Sequence, residues 1–280
     1  MKAIGRIMGR FLGQPSQRRP ACGLCGSSEA AVRLRQPPWV LWQCARCGVW
    51  FSLPETGPPP SFRSTVDSEF RELTWSRKPY IDSMEEFIEY HDPLLARLEE
   101  WVPRGRLLDV GCGPGFCMEA ARRRGWNVVG VEPEGFPATY AAEKLGLEVV
   151  QTTLEDAAFP EGSFDAVLMI HSIEHVTDPM STMAAVRSVL RPEGVVFVET
   201  PNAECEASRF FGDDWQYLNL PEHAFIFDPA TVALLFRRTG LRVLELQAPV
   251  RMANPHGAAL WAWAERPGPP RHPTAGRRAT

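Results

Sequence analysis

Residues 107–116 read LLDVGCGPGF. An apolar run carrying one acid, Leu107-Leu108-Asp109-Val110, meets glycines at 111, 113 and 115 and then the amphipathic stretch GFCMEAARRRG, 115–125. A strand that turns through glycines into a helix brings free backbone N–H groups close to a ligand, where negative charge is favoured. A dinucleotide fingerprint requires glycine at 116, and Phe116 stands there instead, which speaks against a pyrophosphate. No Gly-Lys-Ser/Thr follows, so a Walker loop is excluded as well. The next apolar run, WNVVGVEPE (126–134), ends in Glu132, at the distance where an acid accepts from both ribose hydroxyls. Loop and acid together point to a nucleoside ligand without a pyrophosphate.

Outward from this junction, strand-like and helix-like runs alternate. PATYAAEKLG (137–146) is helical and closed by Gly146, LEVVQT (147–152) is a strand, and SFDAVLMI (163–170) is another. DPMSTMAAVRSVL (178–190) starts at an Asp-Pro cap and ends before Arg191-Pro192-Glu193-Gly194. VVFVET (195–200), the capped helix DPATVALLFRRTG (228–240), LRVLELQ (241–247) and AALWAWAE (258–265) complete the series. Near-continuous apolar strands between amphipathic helices predict an α/β fold, a doubly wound and mostly parallel sheet covered on both faces. Ligands of such sheets bind beyond the carboxyl ends of the strands. Ahead of the sheet, MEEFIEYHDPLLARLEEWV (84–102) has apolar residues at helical spacing.

The seven cysteines are unevenly placed. Cys22/Cys25 and Cys44/Cys47 form two C-x-x-C pairs, each followed by glycine, in a spacing expected of a structural zinc site. Four thiolates leave no open coordination position. A redox dithiol would need its C-x-x-C at the head of a helix after a strand, which is absent here. WVLWQC, 39–44, reads as a strand leading into the second pair. The expected organisation is a flexible basic tail (1–20), a zinc-binding module and linker (21–60), a helical lead-in covering the cofactor site (61–104), the main domain (105–265) and a disordered tail (266–280). The net charge of −4 and pI near 5.9 give no footprint for nucleic acid or an anionic membrane. No apolar run is long enough to cross a bilayer and no secretory signal is visible, so a cytoplasmic protein with reduced thiols is expected.

HSIEHV, 171–176, spaces His171, Glu174 and His175 as H-x-x-E-H, a pattern of inverted zinc proteases when carried on a helix. Here it directly follows the buried strand SFDAVLMI, so a helical triad is not assured. The ordered set of DVGCGPG, Glu132, TTLEDAAFPEGSFDAVLMIHSIEHV, LRPEGVVFVETPN and PEHAFIFDPATVALLFRRTG resembles the class I S-adenosylmethionine-dependent methyltransferases over roughly residues 75 to 265. The cysteine module resembles that of bacterial small-molecule methyltransferases, certain sugar C-methyltransferases among them, without their extra C-terminal domain.

The resemblance implies a Rossmann-like methyltransferase sheet of seven strands. It implies that Asp109, Gly111, Cys112, Gly113 and Gly115 hold the methionine part of S-adenosylmethionine, and that Glu132, with Pro133 beside it, holds the ribose. It places Thr153 and Leu154 against adenine, where the family often has Asp at the first position. Ile170 and His171 fall beside the transferable methyl, and Tyr80 closes over the cofactor. Methyl transfer from a sulfonium is an in-line displacement needing position, dryness and a base for the acceptor proton. His171 is the expected base, with a pocket-lining role weighed equally against it; His223 and His175 are further candidates. Trp215, Tyr217 and Phe211 suggest an apolar acceptor pocket, and Cys112 and Cys117 act as small apolar residues. The expected reaction is O- or C-methylation of a small molecule, in secondary-metabolite or sugar biosynthesis. The alternatives are an rRNA- or tRNA-type base methyltransferase using its zinc module on RNA, a metal-assisted enzyme like the ubiquinone-pathway O-methyltransferases with their Glu-x-x-Glu-His, and a non-catalytic cofactor-binding protein.

Overall fold

The computed structural model describes residues 19–56, 81–220, 222–248 and 259–268. Tyr80, nearly all of the basic tail expected at 1–20, and most of the tail expected at 266–280 lie outside the described residues.

The chain opens with an antiparallel meander of β1 (Ala30–Gln36), β2 (Trp39–Cys44) and β3 (Trp50–Pro54). Helix α1 (Met84–Trp101) follows and buries Ile88, Leu94, Leu95 and Leu98 despite Pro93 within it. Its Glu99 carboxylate is clasped by Arg124 and Arg104, which lower its pKa to about 2 and tie α1 over the next helix.

The main unit then builds β4 (Arg106–Val110), α2 (Phe116–Arg123), β5 (Asn127–Val131), α3 (Gly135–Leu145), β6 (Glu148–Val150) and β7 (Phe164–Ile170). It continues through α4 (Pro179–Val189), β8 (Leu190–Pro201), α5 (Glu206–Phe211), β9 (Phe225–Ile226), α6 (Pro229–Arg238), β10 (Arg242–Gln247) and β11 (Ala259–Glu265). Seven strands lie in the order β10-β11-β8-β7-β4-β5-β6, parallel except that β11 runs against both neighbours. The expected doubly wound sheet is therefore present. Its strand order reverses at β4, whose neighbours β5 and β7 lead away on opposite sides, and a crevice opens there at the strand ends.

The central strands are buried on both faces, Phe164, Val167, Leu168 and Phe197 among them. Each such side chain stabilises the fold by about 1.5–3 kcal/mol relative to exposure. The Asp-Pro helix starts behave as read: Asp178 accepts from Ser181 N–H at 3.0 Å, and Asp228 with Thr231 forms a reciprocal cap. One boundary differs. Arg191–Gly194, which lies between the expected helix and the expected strand VVFVET, belongs to β8, because Glu193 N–H and the Gly194 carbonyl pair with the backbone of Arg266 just beyond β11.

The cysteine module is joined to the main unit. Strand β9 pairs with β3, Phe51 opposite Phe225 and Trp50 opposite Ile226, making a four-stranded sheet β1-β2-β3-β9. Ser52 N–H donates to the Ala224 carbonyl, and its Oγ lies 2.9 Å from the carbonyl of His223 and 3.1 Å from that of Leu220. Module and main unit thus share one buried cluster, from Cys22 and Phe51 to Val110 and Val198. Among the described residues no helix is long and apolar enough to cross a membrane.

Candidate active site

A cavity of about 800 Å³ occupies the crevice at the carboxyl ends of β4, β5 and β7. Its floor is the glycine loop. Gly111, Gly113 and Gly115 all take positive φ, which lets the backbone turn tightly into α2. Gly115 does not line the cavity; a Cβ there would meet Leu147 Cδ1 at 2.6 Å and Ala141 Cβ at 3.0 Å, so it serves close packing of the loop on α3. The buried Glu132 carboxylate accepts from Gly113 N–H at 2.9 Å and from Glu134 N–H at 2.8 Å. A carboxylate presents about four lone-pair sites on its two oxygens, so it can accept from ribose hydroxyls as well as from backbone N–H groups. Asp109 is buried one strand away, and burial, with the nearby Glu132 charge, pushes its pKa up to about 7. A cation seated beside it would draw off its proton. Asp109, Gly111, Cys112, Gly113, Glu132, Pro133, Thr153, Leu154 and Ile170, expected from the sequence, all line this one cavity.

The wall expected to face adenine holds a residue the sequence reading missed. Asp156 lines the cavity three positions after Thr153, whose hydroxyl donates to it at 3.2 Å. Overhead, α1 supplies Phe87 and Tyr90 to the cavity, and the Tyr90 hydroxyl donates to Glu199 Oε1 at 2.7 Å. Glu199 was also missed, although a lone acid in the apolar run VVFVET carries the same signal that identified Glu132. Of the aromatic trio, Tyr217 lines the cavity, Trp215 is buried in a separate apolar cluster, and Phe211 is half exposed. Of the three, then, Tyr217 alone faces the cavity, while core packing and solvent claim the other two.

At the end of β7 the chain bends sharply. His171 has φ 48°, and Ile173–His175 forms a single 3-10 turn rather than the α-helix of a protease triad. His171 Nδ1 lies 3.1 Å from Glu174 Oε1, and its Nε2 lies 3.5 Å from Glu199 Oε1. Burial alone would depress this imidazole, but the two carboxylates outweigh it and hold its pKa up at about 10. Both ring nitrogens thus face carboxylates, an arrangement that favours the protonated ring. His175 and His223 differ from it. His175 Nδ1 sits 2.9 Å from the Glu222 carbonyl and His223 Nδ1 2.7 Å from the Tyr217 carbonyl. A carbonyl only accepts, so both Nδ1 atoms carry the proton and both Nε2 atoms carry a lone pair. The two rings stand 4.8 Å apart, and burial holds both below the usual histidine range. His171 and His175 line the cavity, while His223 is buried behind them.

In the module, Cys22 Sγ lies 3.7 Å from Cys47 Sγ and Cys25 Sγ 3.5 Å from Cys44 Sγ, with no disulfide among them. Sulfurs bound tetrahedrally at about 2.3 Å from a zinc stand roughly 3.8 Å apart, so the four thiols fit such an ion. Gly26 and Gly48, both at positive φ, close each pair with an N–H to the carbonyl of Cys22 or Cys44.

A seven-stranded sheet with β11 reversed, a glycine loop after its first strand and an acid ending the second define the class I S-adenosylmethionine-dependent methyltransferases. A family model described as a methyltransferase domain matches residues 83–246, and the chain belongs to that family. Ubiquinone biosynthesis O-methyltransferase of Cereibacter sphaeroides is 34% identical over 170 residues, which cover 57% of this chain and 67% of that protein. The protein of the same name from Aeromonas salmonicida is 31% identical over 153 residues, covering 50% and 64%. The chain thus spans about two thirds of the length of these relatives. An S-adenosylmethionine-dependent methyltransferase from Mesorhizobium loti shares the fold, with a TM-score of 0.52 at 19% identity over 62% of this chain and 96% of that one.

Proposed function

We propose that the chain methylates a hydroxyl oxygen of a small, phenol-like molecule, using S-adenosylmethionine as donor. The observation that carries this reading is the single cavity in which the glycine loop and Glu132 at one end meet His171, His175 and Tyr217 at the other. The names of the relatives favour oxygen as the acceptor and a ring as its carrier, rather than the sugar or secondary-metabolite acceptor expected from the cysteine module. The net charge of −4 supports a small molecule over RNA.

S-adenosylmethionine supplies a sulfonium-bound methyl group that departs as the sulfur becomes a neutral thioether. The chain's residues supply position. Glu132 takes the ribose hydroxyls, the 111–114 backbone and Asp109 take the methionine end, and Asp156 with Thr153 and Leu154 takes the adenine. Asp156 thereby stands in for the acid the family often has at 153. Tyr90 and Phe87 roof the site and exclude water, and Tyr217 lies face to face with His171, ring centroids 6.4 Å apart, as a flat wall for an aromatic acceptor. Positioning of this kind is worth about 7–11 kcal/mol of a barrier. The acceptor proton leaves toward the His171–His175 end. Cys22, Cys25, Cys44 and Cys47 hold a structural zinc that fixes β3, and through it the 217–226 segment behind the acceptor wall.

The test uses S-adenosylmethionine with a trideuterated methyl and a panel of phenols and catechols, with anilines and carbon acids beside them. Mass spectrometry is expected to find the label on oxygen of a phenol or catechol. Label found on nitrogen or carbon alone would overturn the oxygen assignment.

A further inference from the structure

We infer that Glu199 is a positioning residue that latches the roof helix α1 to the acceptor end of the cavity, joining Tyr90 above it to His171 beside it. The inference rests on the methyltransferase reading for the identity of the donor under that roof. Glu199 stands in the apolar run VVFVET near the carboxyl end of β8, fully buried behind the residues that line the cavity. A carboxylate out of water is costly unless charged or polar partners meet it. Here the partners come from two other elements. Glu199 Oε1 accepts from the Tyr90 hydroxyl of α1 at 2.7 Å and faces His171 Nε2, just past β7, at 3.5 Å.

The sheet fixes this acid from both sides. Ile170 of β7 and Trp261 of β11 stand opposite Glu199, and the His171 N–H donates to the Glu199 carbonyl at 2.8 Å. The elements it joins lie outside the sheet: α1 precedes the main unit, and His171 follows β7 at a bend with φ 48°. Burial, with the Glu199 charge, pushes the Tyr90 phenol well above its ordinary range, so it stays a donor. Burial alone would raise the Glu199 carboxyl, but His171 and Tyr90 outweigh it and keep the group ionised. The bond is therefore charge-assisted, the stronger kind. Exposed pairs elsewhere on α1, such as Glu85 with Arg123, are screened by solvent and hold it less firmly. The bond also lies where the roof crosses the cavity, since Phe87, Tyr90 and His91 all line it. A donor seated beneath leaves only after that roof lifts, and lifting it takes Tyr90 off a buried charge. Because Tyr90 and His171 share one oxygen, the same movement changes what the imidazole faces.

The experiment follows dissociation of S-adenosylhomocysteine by stopped flow from the full chain, Tyr90→Phe, Glu199→Gln and the double variant. Tyr90→Phe removes only a hydroxyl and keeps the roof packed. It is expected to release the ligand about 10-fold faster or more, the effect of losing a hydrogen bond to a charged group. On the Glu199→Gln background, where a neutral bond remains, the same change should cost at most roughly a few-fold. Nitrogen NMR signals of the histidine rings read the other arm. In Tyr90→Phe the His171 signals, assigned by their loss in His171→Gln, should shift, because the shared oxygen is then left to the imidazole. A Tyr90 that only packs the roof would leave them in place. Unchanged release in Tyr90→Phe, or an equal cost on both backgrounds with unmoved His171 signals, would overturn the latch. A parent chain that binds no S-adenosylhomocysteine would overturn the methyltransferase reading instead, and the histidine signals would still decide the latch.

Discussion

Glu132→Ala is expected to weaken S-adenosylhomocysteine binding by about 100-fold or more while leaving the chain folded. The carboxylate is buried and already orders the site, since it holds Gly113 N–H and Glu134 N–H at 2.9 and 2.8 Å. Hydrogen bonds to a charged group contribute about 1.5–3 kcal/mol each. Removing the side chain frees the glycine loop from β5 and deletes the acceptor for two ribose hydroxyls. A net loss of about 3 kcal/mol is roughly 100-fold in affinity. Glu132→Gln keeps one acceptor oxygen and should fall between the two. Calorimetry on the three proteins decides it, and unchanged affinity in Glu132→Ala would remove the ribose role.

The chain should carry one zinc, and replacing Cys22, Cys25, Cys44 and Cys47 together by serine should cost the cysteine module its fold. A structural zinc contributes on the order of 10–16 kcal/mol of apparent binding free energy that a small module cannot replace from its own core. Much of what strands β1 to β3 bury is packed against the main unit: Leu41 and Trp50 share a cluster with Trp215, Leu218 and Leu220, and Phe51 joins the cluster of Phe225 and Phe227. Loss of the module would therefore also release β9 and the Tyr217–His223 wall, which Ser52 and Phe51 hold in register. Elemental analysis and native mass spectrometry count the metal, and thermal unfolding reads the consequence. Zinc absent from protein purified without chelators, or a four-serine variant that melts like the parent, would contradict the structural role.

Much of the main sheet was legible because strands buried on both faces read as unbroken apolar runs, as in Phe164–Ile170, and because Gly and Asp-Pro mark the helix ends. Strands β1, β3 and β9 were not legible. Phe225–Ile226 has two residues and exists only through its pairing with Phe51 and Trp50, a contact remote in sequence. The cofactor half of the site was readable for the same reason as the fold: one local strand–turn–helix carries it. The acceptor half was not. His171, Glu174 and His175 are adjacent in sequence, but which nitrogen each ring offers depends on Glu199, Glu222 and Tyr217, brought in by tertiary structure. H-x-x-E-H spacing suggested a shared helical face, and the positive φ of His171 breaks that face.

A crystal structure with S-adenosylhomocysteine would show whether one cavity seats the donor with its methyl end toward the β7 strand end. Both ribose hydroxyls are expected on Glu132, the adenine against Leu154 and Asp156, and the sulfur pointing to His171. A ligand whose ribose lies away from Glu132, or whose sulfur faces away from His171 and Tyr217, would contradict this arrangement.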